Sequence, residues 1–149
     1  MTITKELEWD MGHRVPGQMK SGKPGPCSSP HGHRYRLEVG VAGEVIGTSG
    51  DPQEGMVIDF TDLKMIMMQE VHERFDHGYM IYERDEYLPY FQPIAAAGKK
   101  IIVVPFIPTA ENIAKHIYNL IQPKLIEKNI QLKYVRIWET PTSTAVWEG

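Results

Sequence analysis

The sequence predicts an α+β domain with an antiparallel four-stranded sheet and two helices on one face. Two stretches of alternating apolar and polar residues open the chain, two helical stretches occupy its middle, and two further strand-like stretches close it. Strands at both ends with helices between them are typical of an antiparallel sheet covered on one side. The expected order is therefore β-β-α-α-β-β, in two hairpins, with an extra short strand near residues 101–104.

The length and composition indicate one domain over residues 1–149, with 42% hydrophobic and 23% charged residues. The formal net charge is -3. Proteins that bind nucleic acid or anionic membranes usually carry an excess of basic residues, so neither is an expected partner. No apolar run approaches the ~18 residues needed to span a bilayer. The single cysteine, Cys27, cannot form an internal disulfide, so we expect a cytoplasmic protein.

The first two strands are predicted over residues 3–13 and from His31 to Val41. In the first strand, the alternate positions that end at His13 are mostly apolar, and the intervening positions are mostly acidic. Residues 14–30 between the strands are rich in Gly, Pro, Ser and Lys, which indicates a loop.

The two helices are recognised by their N-caps and their apolar spacing. Asp59 or Thr61 caps the first helix, which keeps helical spacing as far as Phe75. Thr109 caps the second helix, and we expect Pro123 to kink this helix or end it early.

The chain closes with strands at 132–140 and up to Trp147, separated by a turn at 141–143. A small open sheet of this kind has two exposed edges. Oligomerisation is one way to cover them, so we expect a homo-oligomer.

Three histidines share the apolar face of the first two strands. His31 and His33 point to the same side of one strand, about 6.6 Å apart along it. If the two strands pair in antiparallel fashion, His13 lies opposite them. Three neutral imidazoles suit Zn²⁺ and leave a fourth position open for water or substrate, as in catalytic zinc sites.

Two other interpretations of these histidines stay open. They could be partly buried side chains that hydrogen-bond to the backbone. Alternatively, Cys27, four residues before His31, could complete a closed structural Cys-His₃ zinc site. The same spacing also allows the thiol to lie beside the metal without binding it.

Several other polar residues are candidates for a site. Asp76 precedes His77 and could orient its imidazole, although such a pair after a helix is commonly a turn. Glu139 lies in a strand that is apolar on both faces, where a carboxylate is costly unless it is paired or binds a ligand; the alternative is a strand-end side chain facing water. Glu111 follows the cap Thr109, as is typical of a first helical turn.

Three basic residues, Arg14, Lys20 and Lys23, come before the Cys-His segment. They could receive phosphates, although a place in a solvated loop is the more common role of any one such residue.

Six motifs occur in order over nearly the whole chain: Gly12-His13-Arg14, Cys27-x-x-x-His31-Gly32-His33, Gly55-Met56-Val57-Ile58-Asp59-Phe60 with Leu63-Lys64, Asp76-His77, Pro108-Thr109-Ala110-Glu111-Asn112 and Glu139-Thr140. In type and order these motifs together resemble the 6-pyruvoyltetrahydropterin synthase / 6-carboxytetrahydropterin synthase family. Three departures from the family's pattern concern the pocket wall: a longer segment 78–108, Trp138 where a Lys is frequent, and Met11-Gly12 in place of a small pair.

The resemblance implies the tunnelling fold and a homohexamer with sites at subunit boundaries. It also implies a role for each site residue. Zinc would be held by His13, His31 and His33; Cys27 would accept a proton, supported by Asp76 and His77 of the same or a neighbouring subunit; Glu139 would anchor the pterin ring; Thr109 and Glu111 would contact substrate.

The implied reaction is that of a lyase acting on 7,8-dihydroneopterin triphosphate. Three residues separate Cys27 from His31, which is typical of carboxy-forming members of the family. We therefore expect a 6-carboxytetrahydropterin synthase of queuosine and deazapurine biosynthesis, which releases triphosphate and acetaldehyde. The pyruvoyl-forming reaction stays open, as does a non-catalytic protein of this fold with a structural Cys-His₃ zinc site.

Overall fold

The computed structural model describes residues 1–149 and contains eight strands and three helices. The first of these helices begins as an α-helix, continues through a π-helical segment and ends in a short α-helical turn. The strands are β1 (Thr2–His13), β2 (Met19–Lys20), β3 (Lys23–Pro24), β4 (His31–Ala42), β5 (Gly78–Tyr82), β6 (Ile101–Val104), β7 (Gln131–Thr140) and β8 (Ser143–Glu148). The helices are α1 (Phe60–Met67, Met68–His72 and Glu73–Phe75), α2 (Leu88–Ala96) and α3 (Ala110–Ile126), and a 3₁₀ turn covers Pro26–Ser28.

The predicted antiparallel strands form the centre and one side of the main sheet. Strand β1 pairs with β4, β7 pairs with β8, and a β4–β7 pairing joins the two hairpins. The alternation in β1 is confirmed, because Trp9, Met11 and His13 are buried whereas the residues between them are partly exposed. The α+β class and the expected strand at 101–104 are also confirmed.

The sheet nevertheless has six strands rather than four, in the order β6-β5-β1-β4-β7-β8. Strand β5 pairs in parallel with β1, and β6 pairs in parallel with β5. The prediction missed β5 because its five residues form a short run whose pairing with β1 is not local. It also missed α2, since this helix contains Pro89 and Pro93 and buries no residue.

The predicted loop at 14–30 is partly regular, because β2 and β3 form a separate two-stranded hairpin within it. Ser21 and Gly22, the two residues that connect them, have φ values of 51° and 74°. Positive φ at both central residues is the requirement of a type I′ turn, which fits the twist of a tight hairpin.

The helix ends settle two of the predictions. Asp59 rather than Thr61 caps α1, since its carboxylate accepts the Thr61 N–H at 2.6 Å. Thr109 caps α3 as predicted. Pro123 does not end α3, which continues to Ile126; the proline removes one helical hydrogen bond, but it is exposed, so water can replace the missing donor.

The core lies between one face of the sheet and helices α1 and α3. Leu132 of β7 enters it because of a β-bulge: the register against β4 shifts between Gly40 and Val41. The shift brings Leu132 to the same buried face as Val135 and Ile137, although Leu132 has the opposite parity. None of the helices combines the length and hydrophobicity needed to cross a lipid bilayer.

Candidate metal centre and the adjoining cleft

Three histidines converge at one end of the β1–β4 hairpin. The register places His13 directly opposite His31, and His33 follows on the same face of β4. Each residue offers one ring nitrogen, and these three atoms all lie within 4.8 Å of one another. The strand alternation therefore predicts this cluster correctly.

Backbone carbonyls orient two of the rings. The Nδ1 atom of His13 lies 2.6 Å from the carbonyl oxygen of Pro108, and Nδ1 of His31 lies 2.7 Å from that of Ser29. Because a carbonyl only accepts hydrogen bonds, we infer that each Nδ1 carries the proton. Each Nε2 then presents a lone pair to the cluster, as in metal-binding histidines.

Burial keeps two of the three imidazoles uncharged. His13 is only 1% exposed, and this burial lowers the pKa of His13 to about 4, despite its hydrogen bond to Pro108. Burial also lowers the pKa of His33, although the nearby Glu139 carboxylate opposes this effect. At neutral pH both imidazoles are therefore in the uncharged form that binds a metal ion.

The cluster leaves two ring nitrogens unsatisfied. The Nε2 atoms of His13 and His33 are buried and have no hydrogen-bond partner. A buried polar atom without a partner costs about 1–3 kcal/mol, and a metal ion bound by the imidazoles would remove this cost. Three neutral imidazole nitrogens are a donor set that suits zinc, so the residues present fit that ion.

Cys27 lies beside the histidine cluster and is not part of it. The converging ligand atoms come from the three histidines alone, which favours the open site over the closed Cys-His₃ alternative. The cysteine, which is partly buried and not in a disulfide, lines an adjoining cleft of about 270 Å³. We refer to this space as the Cys27 cleft.

Four of the sequence-predicted site residues meet in the Cys27 cleft: Cys27, Thr109, Glu111 and Glu139. Thr109 and Glu111 reach it from the first turn of α3, where Thr109 is also the cap. Thr109 can therefore cap α3 and line the cleft at the same time, and Glu111 can lie in the first turn of the helix and also line the cleft.

Glu139 connects the cleft with the histidine cluster. Its Oε1 atom lies 3.5 Å from Nε2 of His13 and 4.0 Å from Nε2 of His33. Its side chain is 25% exposed, so it lies at the junction of the two sites rather than out in solvent. A carboxylate at this place can accept hydrogen bonds from a ligand that occupies the cleft.

Asp76 and His77 form a hydrogen-bonded pair away from the Cys27 cleft. Oδ2 of Asp76 lies 2.7 Å from Nδ1 of His77, and the pKa of Asp76 is lowered, mainly because its carboxylate accepts the Asp10 N–H. The His77 side chain is 81% exposed and lines a different cleft, together with Asp10 and His33. Within one chain, then, the structure does not bring this pair to Cys27.

Two residues near the site have contacts that sequence analysis missed. The Gln18 carboxamide accepts the N–H of Cys27 at 2.9 Å, and no motif marks it. Arg14, expected in a solvated loop or on a phosphate, is instead 2% exposed. It lies 3.4 Å from Asp85 and stacks on the Tyr87 ring at 3.6 Å.

The chain is similar to known pterin synthases over almost its full length. The family model for 6-pyruvoyl tetrahydropterin synthase matches residues 2–149. The 6-carboxy-5,6,7,8-tetrahydropterin synthase of Haemophilus influenzae is 32% identical over 142 residues, which cover 95% of this chain and 94% of the relative. The enzyme of the same name from Rickettsia felis is 35% identical over 139 residues, with 93% of each chain covered.

Relatives with a different name are less similar. The human 6-pyruvoyl tetrahydrobiopterin synthase is 27% identical over 154 residues, which cover 99% of this chain and 90% of the relative. Among solved structures, an uncharacterized protein from Wolinella succinogenes has a TM-score of 0.82 at 26% identity and covers 100% of this chain and 98% of its own. The 6-pyruvoyl tetrahydropterin synthase of Caenorhabditis elegans has a TM-score of 0.69 at 24% identity, with 100% and 95% covered, and supports the fold.

Proposed function

Because the chain belongs to the 6-pyruvoyl tetrahydropterin synthase family, we propose that it is a zinc-dependent 6-carboxy-5,6,7,8-tetrahydropterin synthase. The proposed substrates are 7,8-dihydroneopterin triphosphate and one water molecule, and the products are 6-carboxytetrahydropterin, triphosphate and acetaldehyde, in a lyase reaction that serves queuosine and deazapurine biosynthesis. The observation that carries this proposal is the three-histidine cluster beside a cleft that holds Cys27 and Glu139.

The carboxy branch is supported by two independent features. The bacterial relatives at 32% and 35% identity carry that name, whereas the human relative named for the pyruvoyl product is 27% identical. The three-residue spacing between Cys27 and His31 is also the one expected for carboxy-forming members.

The proposed metal ligands are the Nε2 atoms of His13 and His31 and one ring nitrogen of His33. Zinc bound there would polarise oxygen atoms of the substrate side chain and lower the pKa of a hydroxyl group. The chain's own contribution is to hold two of the imidazoles in the required tautomer through the carbonyls of Pro108 and Ser29.

We assign the role of proton acceptor to Cys27. A thiolate is a competent base near neutral pH, and a partly exposed thiol can reach a substrate. The Cys27 cleft adjoins the histidine cluster, so a substrate side chain held at the cluster would have its C–H bonds close to the sulfur. Removal of a proton from that side chain prepares the loss of triphosphate.

We assign recognition of the pterin ring to Glu139. Its carboxylate can accept hydrogen bonds from the amino group and the ring N–H of the pterin, a charge-assisted pair that fixes the ring's orientation. Thr109 and Glu111, which line the same cleft, would complete the substrate contacts from α3.

We propose further that the enzyme is a homohexamer in which Asp76 and His77 support the Cys27 of a neighbouring subunit. Two observations support this arrangement. The pair lies outside the Cys27 cleft of its own chain, and β6 and β8 are edge strands whose open hydrogen-bonding groups favour pairing with another copy.

The product assay tests the proposed function directly. The zinc-loaded protein is incubated with 7,8-dihydroneopterin triphosphate, and the products are identified by mass, with acetaldehyde trapped as a hydrazone. We expect a 6-carboxypterin product and acetaldehyde. A 6-pyruvoyl product would refute the branch but keep the site, and no turnover by fully zinc-loaded protein would favour the non-catalytic alternative.

A further inference from the structure

We propose that Lys20 and Lys23, at the tip of the β2–β3 hairpin, form an anion site that receives the polyphosphate end of the substrate. The proposal rests on the proposed function, which requires a place for three phosphate groups. It adds a binding site outside the histidine cluster and the Cys27 cleft.

The hairpin fixes the two lysines side by side. Lys20 pairs directly with Lys23 in the strand register, and the two-residue turn between them has the positive φ values that a type I′ hairpin requires. Directly opposite residues of such a pair have Cβ atoms about 4.5–5.5 Å apart and point to the same side of the ribbon.

The two ammonium groups have no counter-charge in the chain. Neither lysine lies within 4.0 Å of a carboxylate, and both are exposed. Like charges placed directly opposite each other in a ladder destabilise it. A multiply charged anion bound between Lys20 and Lys23 would relieve this repulsion.

The lysines share a face of the hairpin with a residue of the Cys27 cleft. The Gly25 N–H donates to the Gln18 carbonyl at 2.8 Å, which continues the pairing of β2 and β3 by one residue pair. Alternation then places Gln18 and Lys20 on one side, about 6.6 Å apart along the strand. Since the Gln18 side chain lines the cleft, the flexible four-carbon stems of the lysines leave the hairpin from the side that faces the cleft.

Charges of opposite sign lie on the cleft wall and on the hairpin tip. The cleft wall carries the carboxylates of Glu111 and Glu139, whereas the hairpin tip carries Lys20 and Lys23. This polarity fits a ligand with N–H donors at one end and a chain of phosphates at the other. The nearby Arg14 is not a competing phosphate ligand, because it is buried and paired with Asp85.

The test compares two double variants that each remove two positive charges. In K20Q/K23Q we expect the KM for 7,8-dihydroneopterin triphosphate to rise about tenfold, the effect of two exposed charge pairs, with kcat retained. The dependence of KM on salt should become weaker, because fewer phosphate charges are neutralised. The control K124Q/K128Q changes exposed lysines at the far end of α3 and in the turn after it and should match wild type.

A second readout does not depend on turnover. Isothermal titration calorimetry with inorganic triphosphate should show weaker binding to K20Q/K23Q than to wild type, and K20R/K23R should bind it as wild type does. An unchanged KM in K20Q/K23Q would overturn the proposal. If wild type shows no turnover while only K20Q/K23Q loses triphosphate binding, the anion site stands and the proposed reaction is refuted.

Discussion

Replacement of His13 by asparagine is expected to remove a pH-dependent part of the free energy of unfolding of the metal-free protein. His13 is buried at the end of β1 and donates from Nδ1 to the Pro108 carbonyl. An asparagine amide can donate to the same carbonyl, so the variant keeps this hydrogen bond and loses the titrating imidazole.

The size of the effect follows from the pKa of His13, which burial lowers from 6.5 to about 4. Between these values the unfolded chain binds a proton that the folded chain does not, so this stability is fully present above pH 6.5 and is lost as pH falls toward 4. The shift corresponds to a loss of about 2 kcal/mol between pH 7.5 and pH 5.

Urea unfolding at pH 7.5 and pH 5, with a chelator present, measures this difference. His13→Asn should lose about 2 kcal/mol less than wild type between the two pH values. His13→Ala lacks the hydrogen bond and should be less stable at both pH values, yet it should show the same reduced pH dependence. Equal pH dependence in wild type and His13→Asn would refute the conclusion that burial holds His13 neutral.

Three further predictions concern the subunit arrangement, the thiol loop and the inserted segment. Mixing Cys27→Ala with His77→Ala subunits should restore about a quarter of wild-type activity if each site combines two subunits; no recovery after verified subunit exchange would refute shared sites. Gly25→Ala places a Cβ against the flexible Gln18 side chain, which must move and give up its hydrogen bond to the Cys27 N–H; kcat should fall, and the unfolding free energy should fall by about 0.5–1.5 kcal/mol, and wild-type values in kinetics and urea unfolding would contradict this. Asp85→Ala leaves the buried Arg14 guanidinium with the exposed Glu86 as its remaining carboxylate partner and should cost about 3 kcal/mol in urea unfolding, the lower end for a broken buried pair, whereas a loss below about 1 kcal/mol would show that the pair is not needed.

The parts of the fold that sequence analysis predicted depend on local alternation. His13, His31 and His33 could be placed together because side-chain direction in a strand has a period of two, and because the 14–30 segment suits a connection between antiparallel neighbours. The cap at Thr109 is equally local, since it depends on the residues that follow it.

The parts that were missed depend on contacts between distant residues. Arg14 pairs with Asp85, which is far from it in the sequence. Nothing in the residues around Arg14 indicates this partner, so its position in a loop suggested that it is exposed. Strand β5 lies next to β1 through a short parallel pairing, which leaves no alternating pattern, and the bulge that turns Leu132 inward breaks the parity on which strand prediction relies.

The central claim is that the three histidines hold the metal while Cys27 acts beside it. The most direct test measures bound zinc and turnover on the same sample of Cys27→Ala. We predict one zinc ion per subunit, as in wild type, with turnover reduced at least ~100-fold by loss of the base. Loss of zinc together with the thiol would contradict the account and identify Cys27 as a metal ligand.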